Sequence, residues 1–405
     1  MKRIIIVGAG ASGMMAAIVA RRAGADVIVL EQNEEVGKKI LATGNGKCNF
    51  SNIYQEPLCY RSNEPKKAWD IVNRFSYQDT IRFFTELGIY SKNKNGYLYP
   101  NSEQASSVRD VLFLEMENLG VKLKTGIHVK NIWHEKECWH VTDNKTVYQA
   151  DAVIVASGSQ ASNIKGSDGN GYMFAKENGL HVIPPIPALV QLKCREKVYK
   201  HLAGVRTQVK ISLYINNVFT ASDTGELQLT NYGISGIPTF QVSRFAAKAL
   251  YEKKEVHAIL DFAPEFEKEQ FERFLRHRKK LCGKRKMKDF FTGLFHEKLS
   301  ATWLIIARID LEKYAEELSE EELLKLIRII KEFKTVIIDT NPYTQAQVCA
   351  GGVDLNDLTK DLESKKNKGL YFIGEVVDVD GMCGGYNLQW AWSSGFIAGT
   401  HASMQ

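Results

Sequence analysis

Cysteine is scarce and unpatterned in this chain: seven residues among 405, with no C-x2-C pair. An odd count without metal-ligand spacing points to reduced thiols in a cytoplasm rather than a disulfide framework, and no metal site is expected. A bilayer-spanning apolar run is missing too. The longest late uncharged stretch, from Gly381 onward, is broken by Asn387, Gln389, Ser393, Ser394 and several glycines, which makes it too polar for a membrane span. The chain has no internal repeat, no low-complexity tract and no second nucleotide domain. Acidic residues vanish over one stretch, Arg273 to Lys288, which holds nine Lys or Arg; removing those charges from the net +6 leaves −3 for the rest. Basicity is therefore local. Such a run is usually a solvated helix face, and without an accompanying RNA-binding motif no nucleic-acid partner is expected.

What remains is ordinary for a globular protein, with 44% hydrophobic and 25% charged residues. The length allows roughly two to three domains. Near the start, the apolar run Ile4 to Val7 leads into Gly8-Ala9-Gly10-Ala11-Ser12-Gly13 and then the helix-like Met14 to Ala20. This strand, turn and helix order is the dinucleotide fingerprint. Gly8 allows the tight turn, Gly10 lets backbone amides approach a pyrophosphate, and Gly13 lets the helix pack closely on the strand. The helix start, with Ala11 and Ser12, then faces the phosphates. A second strand, Val27 to Leu30, ends in Glu31, placed to accept hydrogen bonds from ribose hydroxyls and to repel a 2'-phosphate. FAD or NAD is expected there. Lys2-Arg3 before an apolar stretch imitates a secretory signal, but the glycine spacing, Arg21-Arg22 and the immediate second strand argue against export.

The stretch Gly37 to Asn49 is too rich in glycine and polar residues for a core element and reads as a loop beside the cofactor. Helices are expected over 65–75, 77–87 and 106–119, and short strands over 121–124 and 127–133. Asp151 to Val155 reads as a buried parallel strand ending in Ala156, Ser157 and Gly158, small residues that permit close backbone approach to a ligand. The prolines at 184, 185 and 187 mark a boundary, beyond which the alternation over 205–215 and 218–224 suggests an antiparallel sheet or barrel. Amphipathic helices are expected over 267–280, 297–309 and 320–332. Gly166 to Gly171 resembles a second nucleotide turn but follows no convincing strand, and reads as a loop capping a helix over 172–177. The fold expected is α/β: a Rossmann-like, doubly wound FAD-binding sheet over 1–187 and 345–405. It is interrupted by a small β, barrel-like domain over 188–263 and 333–344 and by a helical insert over 264–332.

The C-terminal return favours FAD over NAD. After the strand Leu370 to Ile373 comes Gly374-Glu375-Val376-Val377-Asp378, where a carboxylate such as Asp378 can hold ribityl or phosphate-proximal hydroxyls. Gly384-Gly385-Tyr386 then opens a helix whose unpaired amides can face the flavin pyrimidine edge. The stretches GKKILATGNGKCNFSN, GELQLTNYGISGIP and ESKKNKGLYFIGEVVDVDGMCGGYNLQWAWSSG resemble the BaiN-like, aminoacetone-oxidase-like family of FAD-dependent oxidoreductases from near residue 1 to near 402. Carried over by position, the resemblance implies that Lys39, Thr43, Gly44, Asn45, Gly46, Cys48 and Asn49 line the flavin. On its other flank it places Gly374, Glu375, Asp378, Gly385, Tyr386, Asn387 and Leu388, and Gln32 and Val129 complete the set.

Cys48 has Ile53 five residues on, where a C-x4-C redox pair would need a second cysteine, so a buried small thiol is expected. Many relatives carry a histidine where this chain has Asn231, which leaves Tyr232 as the candidate proton donor or enolate stabiliser. The resemblance implies a cytoplasmic reductase in which NADH or NADPH is the transient donor to tightly bound FAD. The acceptor is a small molecule, an enone of the 3-oxo-4-ene steroid or bile acid type. Two alternatives stay open: an oxidase of a small amino ketone such as aminoacetone with O2 as acceptor, and a flavin-dependent RNA-binding or RNA-modifying protein using Arg273 to Lys288.

Overall fold

In the computed structural model, which describes residues 1–164 and 166–404, the chain forms two compact units, 1–186 with 347–405 and 187–346. The first is built on a five-stranded parallel sheet in the order Leu370–Phe372, Ala152–Val155, Arg3–Val7, Asp26–Leu30, Lys122–Lys124. Ile4, Ile5 and Ile6 are wholly buried at its centre, as a strand covered on both faces requires. Each such side chain is worth about 1.5–3 kcal/mol of burial. The first strand is thus the spine of the unit.

The fingerprint helix Ala11–Arg22 packs against the C-terminal helix Tyr386–Met404, which is buried on most sides, its Gln389, Ser393 and Ser394 included. Gly395 and Gly399 set how closely these helices approach. A Cβ at either would stand 2.5 Å from the Ser12 carbonyl oxygen or 2.6 Å from that of Ala16. A three-stranded antiparallel sheet, ordered Ser51–Asn52, Tyr97–Pro100, Ser91–Lys94, and a second, Val147–Ala150, Cys138–Thr142, Asn131–Glu135, complete this unit with helices Pro65–Arg74, Tyr77–Glu86 and Ala105–Asn118. The helix Tyr77–Glu86 starts on a reciprocal cap between Ser76 and Asp79, which satisfies amides at its open end.

The second unit is a closed six-stranded barrel: Leu192–Cys194, Gly233–Gly236, Val218–Thr230, Arg206–Ile215, Val256–Asp261 and Phe333–Thr340 in spatial order. Val209, Ile211 and Leu213 point inward at every second position, the period that identified the strand. Helices Lys268–Leu281, Met287–Phe290, Glu297–Ala307 and Glu320–Lys331 contribute Phe271, Leu275, Phe290, Trp303 and Leu326 to the same core as the barrel. The α/β Rossmann-like fold with a small barrel is as expected.

Local expectations differ in places. The 37–49 segment is not simply a loop: Lys38–Ala42 is a short helix, followed by a tight turn in which Gly44, Asn45 and Gly46 are left-handed. Five residues are too few to show helical periodicity. The strand expected over 127–133 starts at Asn131, and Ile127 instead donates its backbone N–H to the Glu31 carbonyl at 2.9 Å. The boundary expected at the prolines 184, 185 and 187 does coincide with the division between units, which falls inside an extended strand, Val182–Ala188. No helix among the described residues is long and apolar enough to cross a membrane.

Candidate functional site

The first turn is shaped by backbone contacts. Gly8 adopts φ +103 and donates its N–H to the Leu30 carbonyl at 2.8 Å. A Cβ there would lie 2.5 Å from the Ala156 carbonyl oxygen, and one at Gly13 would run into the Gly8 carbonyl oxygen. At Gly10, by contrast, a Cβ would meet nothing within 4 Å. The helix that starts here has no side-chain cap and no acid in its first turn, so nothing on the helix itself offsets its positive end, an arrangement suited to an anion.

Glu31 is buried and ties this turn to the end of the second strand. Its Oε2 accepts from Ala9 N–H at 2.7 Å, and its Oε1 accepts from the backbone and side-chain amides of Asn33, each at 2.8 Å. A carboxylate has about four acceptor sites, so capacity remains for a ribose hydroxyl. Gln32 and Asn33 border the loop at Gly166, where a Cβ would sit 3.1 Å from Asn33 Nδ2 and 3.6 Å from Gln32 Oε1. That loop leads through Gly169, left-handed, into the helix Asn170–Glu177. Val129 is buried in the segment that follows Ile127.

The two ends of the chain meet at this turn. A Cβ on Gly374 would collide with the Ser12 side chain, and the Gly374 N–H donates to Ser394 Oγ while its carbonyl accepts from Trp390 Nε1, both at 3.0 Å. Lys39 and Glu375, 336 positions apart, form an ion pair at 2.6 Å, and Ser159 Oγ donates to the same Glu375 oxygen at 3.0 Å. Thr43 Oγ1 donates to the Ile40 carbonyl at 2.6 Å, and the left-handed turn at Gly44, Asn45 and Gly46 is exposed. Gly385, at φ +94, would place a Cβ 2.6 Å from the Ser51 carbonyl oxygen and 2.9 Å from Asn49 Oδ1. Asp378 is buried and accepts from Asn63 N–H at 2.8 Å. Asn387 fastens both backbone groups of Gly381, at 2.8 and 3.0 Å, and Leu388 packs on the core. The expected cofactor residues thus all belong to the first unit, while the stretch 225–238 belongs to the second.

Three buried polar atoms on these loops have no hydrogen-bond partner: Ser157 Oγ, Asn49 Oδ1 and Asn33 Oδ1. Buried polar atoms ordinarily find partners, and these, beside an open helix start, fit a bound dinucleotide. Asn33 was not anticipated from the sequence; its signal was adjacency to Glu31. Also missed were Ser159 and the buried Gln389, whose amide links Ser51, Thr80, Phe75 and Ser393.

Burial pushes the Cys48 thiol up to about 12 and Cys349, beside Ser159, Glu375 and Lys39, up to about 11. Burial, with Cys59 next, also raises Tyr386 well above the usual phenol. At pH 8 a thiol near 12 is thiolate in only about one molecule in ten thousand. Native Cys48 is therefore expected to resist iodoacetamide at pH 8 and to react on unfolding, as peptide mass mapping will register; rapid native labelling would contradict its burial.

Tyr232 lies in the second unit, between Thr230 and Gly233, where its hydroxyl accepts from Asn341 Nδ2 at 2.8 Å. The basic run is engaged within that unit: Arg276 pairs with Glu272 and Glu320, Arg278 donates to the carbonyls of Phe290 and Thr292, and Lys286 and Lys288 pair with Glu312.

Residues 2–401 match the family model described as HI0933-like protein Rossmann domain. The 3-dehydro-bile acid delta(4,6)-reductase of Clostridium scindens is 43% identical over 100% of this chain and 99% of its own length. A ribosomal RNA dihydrouridine synthase of Haemophilus influenzae is 31% identical, with 99% and 98% covered. Among solved structures, the 3-ketosteroid-delta4-(5alpha)-dehydrogenase of Rhodococcus jostii has a similar fold, with a TM-score of 0.51 at 16% identity over 100% of this chain and 97% of that one.

Proposed function

We propose, for a chain that belongs to the HI0933-like Rossmann-domain family, that it is an FAD-dependent oxidoreductase reducing a C=C bond conjugated to a ketone, with NADH or NADPH as donor. A 3-oxo-4-ene steroid or bile acid is the acceptor. The observation that carries this reading is the full-length 43% identity to the delta(4,6)-reductase. The gathered loops of the first unit support it.

Bound FAD supplies hydride transfer. The protein's own residues do the rest. The amides of Ala11, Ser12 and Gly13 would hold the pyrophosphate at the helix start, and Glu31 would take the ribose. Lys39, paired with Glu375, and the turn at Gly384 and Gly385 would border the ring system, toward which the start of Tyr386–Met404 would present its positive end. Tyr232 is the proposed proton donor. Its oxygen accepts from Asn341, which leaves its own O–H free to donate. Tyr232→Phe is expected to lower turnover about 10²-fold or more with FAD retained; unchanged turnover removes Tyr232 from the mechanism.

A second reading has its own support in the RNA-modifying relative, since dihydrouridine also arises by saturating a C=C bond conjugated to a carbonyl. The two readings share chemistry and differ in acceptor. Enzyme reduced by light without oxygen and then mixed with a 3-oxo-4-ene steroid will recover its oxidised flavin band if the first is right. Failure with every such enone, but recovery with uridine-containing ribosomal RNA, would favour the second.

A further inference from the structure

We propose that Lys47, Lys92 and Lys94, gathered on Glu103, form a binding site for the anionic group of an incoming small molecule: the carboxylate of the acceptor or the 2'-phosphate of the nucleotide donor. The proposal rests on the reductase reading and assigns to this chain the side chains that recognise a charged ligand.

The site is built by the small sheet of strands Ser51–Asn52, Tyr97–Pro100 and Ser91–Lys94. Its register pairs Lys92 with Tyr99, Lys94 with Tyr97, and Asn52 with Tyr97, so these five residues share one face. The opposite face carries the buried Leu98 and Ser51. The shared face meets two turns of the candidate cofactor site. Tyr99 reaches 3.5 Å from where a Cβ of Gly44 would stand, Tyr97 reaches 3.0 Å from that of Gly384, and Asn52 Nδ2 donates to the Gly384 carbonyl at 3.0 Å. Lys94 lies over the Tyr99 ring, 5.6 Å from its centre, and Lys47 belongs to the 43–49 turn itself. The lysines therefore stand beside the turns proposed to line the flavin.

Glu103 brings three ammonium groups to one carboxylate, Lys47 at 3.2 Å, Lys92 at 2.7 Å and Lys94 at 2.6 Å. It does so from φ +53, a left-handed backbone that a residue with a side chain adopts only against strain. The lysines hold its carboxyl down at about 2, so it stays ionised at any physiological pH. Fold stability gives little reason for such a gathering, because exposed ion pairs contribute weakly and the three like charges repel. A second anion would relieve that repulsion. The cluster has more positive than negative charge, and it adjoins the proposed chemistry.

Calorimetric titration of the oxidised holoenzyme tests this without turnover. The probes are a 3-oxo-4-ene steroid carboxylate against its methyl ester, and NADP+ against NAD+, oxidised nucleotides that cannot reduce the flavin. One pair is expected to differ by about tenfold, and which one identifies the source of the anion. The double variant Lys92→Ala, Lys94→Ala is expected to erase that difference, while Lys92→Arg, Lys94→Arg keeps it. No difference in either wild-type pair, or one that survives the alanine variant, overturns the site. So does a loss of ribosomal RNA affinity in that variant with both small-molecule pairs unchanged. If the alanine variant sheds its flavin, the wild-type protein carries the test alone: the discrimination must shrink as salt is raised, and indifference to salt overturns the proposal. Failure of the reductase reading is seen separately, as enone that does not reoxidise reduced enzyme.

Discussion

Gly13→Val is expected to leave a protein that no longer retains FAD. A Cβ at this position enters the Gly8 carbonyl oxygen and comes within 3.2 Å of the Ala156 Cβ. Neither neighbour can yield, because Gly8 is fixed to Leu30 and Ala156 to Val7 by backbone hydrogen bonds of 2.8 Å. The helix must move off the sheet, which takes its amides away from the phosphates. A loss on the order of 4 kcal/mol or more belongs to this kind of backbone collision. Flavin absorbance against total protein after purification should fall to less than about a tenth of wild type. Full occupancy would mean that the glycine-rich turn does not grip the cofactor.

Gln389→Leu is expected to destabilise the first unit by about 3 kcal/mol or more while leaving the glycine turn intact. The Gln389 side chain is wholly buried, and its Oε1 accepts from Ser51 Oγ at 2.6 Å and Thr80 Oγ1 at 3.0 Å. Its Nε2 donates to the Phe75 carbonyl at 3.0 Å and to Ser393 Oγ at 3.1 Å. Leucine fills most of the volume but abandons several buried partners at once, each costing about 1–3 kcal/mol when unsatisfied. Because Ser51 lies against Gly385, flavin affinity should weaken along with stability. Denaturant unfolding would show a lower midpoint; an unchanged midpoint would mean that the network contributes nothing.

Why Gly13 is legible in the sequence and Gln389 is not follows from the elements that carry them. The fingerprint has fixed spacing between a strand and a helix, and each glycine answers a separate steric demand, so the pattern announces its geometry. The C-terminal helix is buried on nearly every side and offers no polar stripe from which an inward face could be read. Gln389, Gly395 and Gly399 therefore show in the sequence only as interruptions of an uncharged run, and what they contact is not legible there. The barrel was visible because strands such as Arg206–Ile215 alternate over ten residues. The sheet of Ser91–Lys94 and Tyr97–Pro100 was not, since the first strand, SKNK, shows neither alternation nor a hydrophobic run and the second, YLYP, is only four residues long and ends in proline. Likewise, the ion pair of Lys39 with Glu375 joins residues that no local pattern connects.

The most direct test of the reductase account is the absorbance of the purified protein, with bound FAD and without oxygen, after addition of NADH or NADPH. Rapid bleaching of the oxidised flavin band by either nucleotide is the predicted result. A band that persists with FAD still bound would contradict it, and would turn the search toward direct oxidation of a substrate such as a small amino ketone.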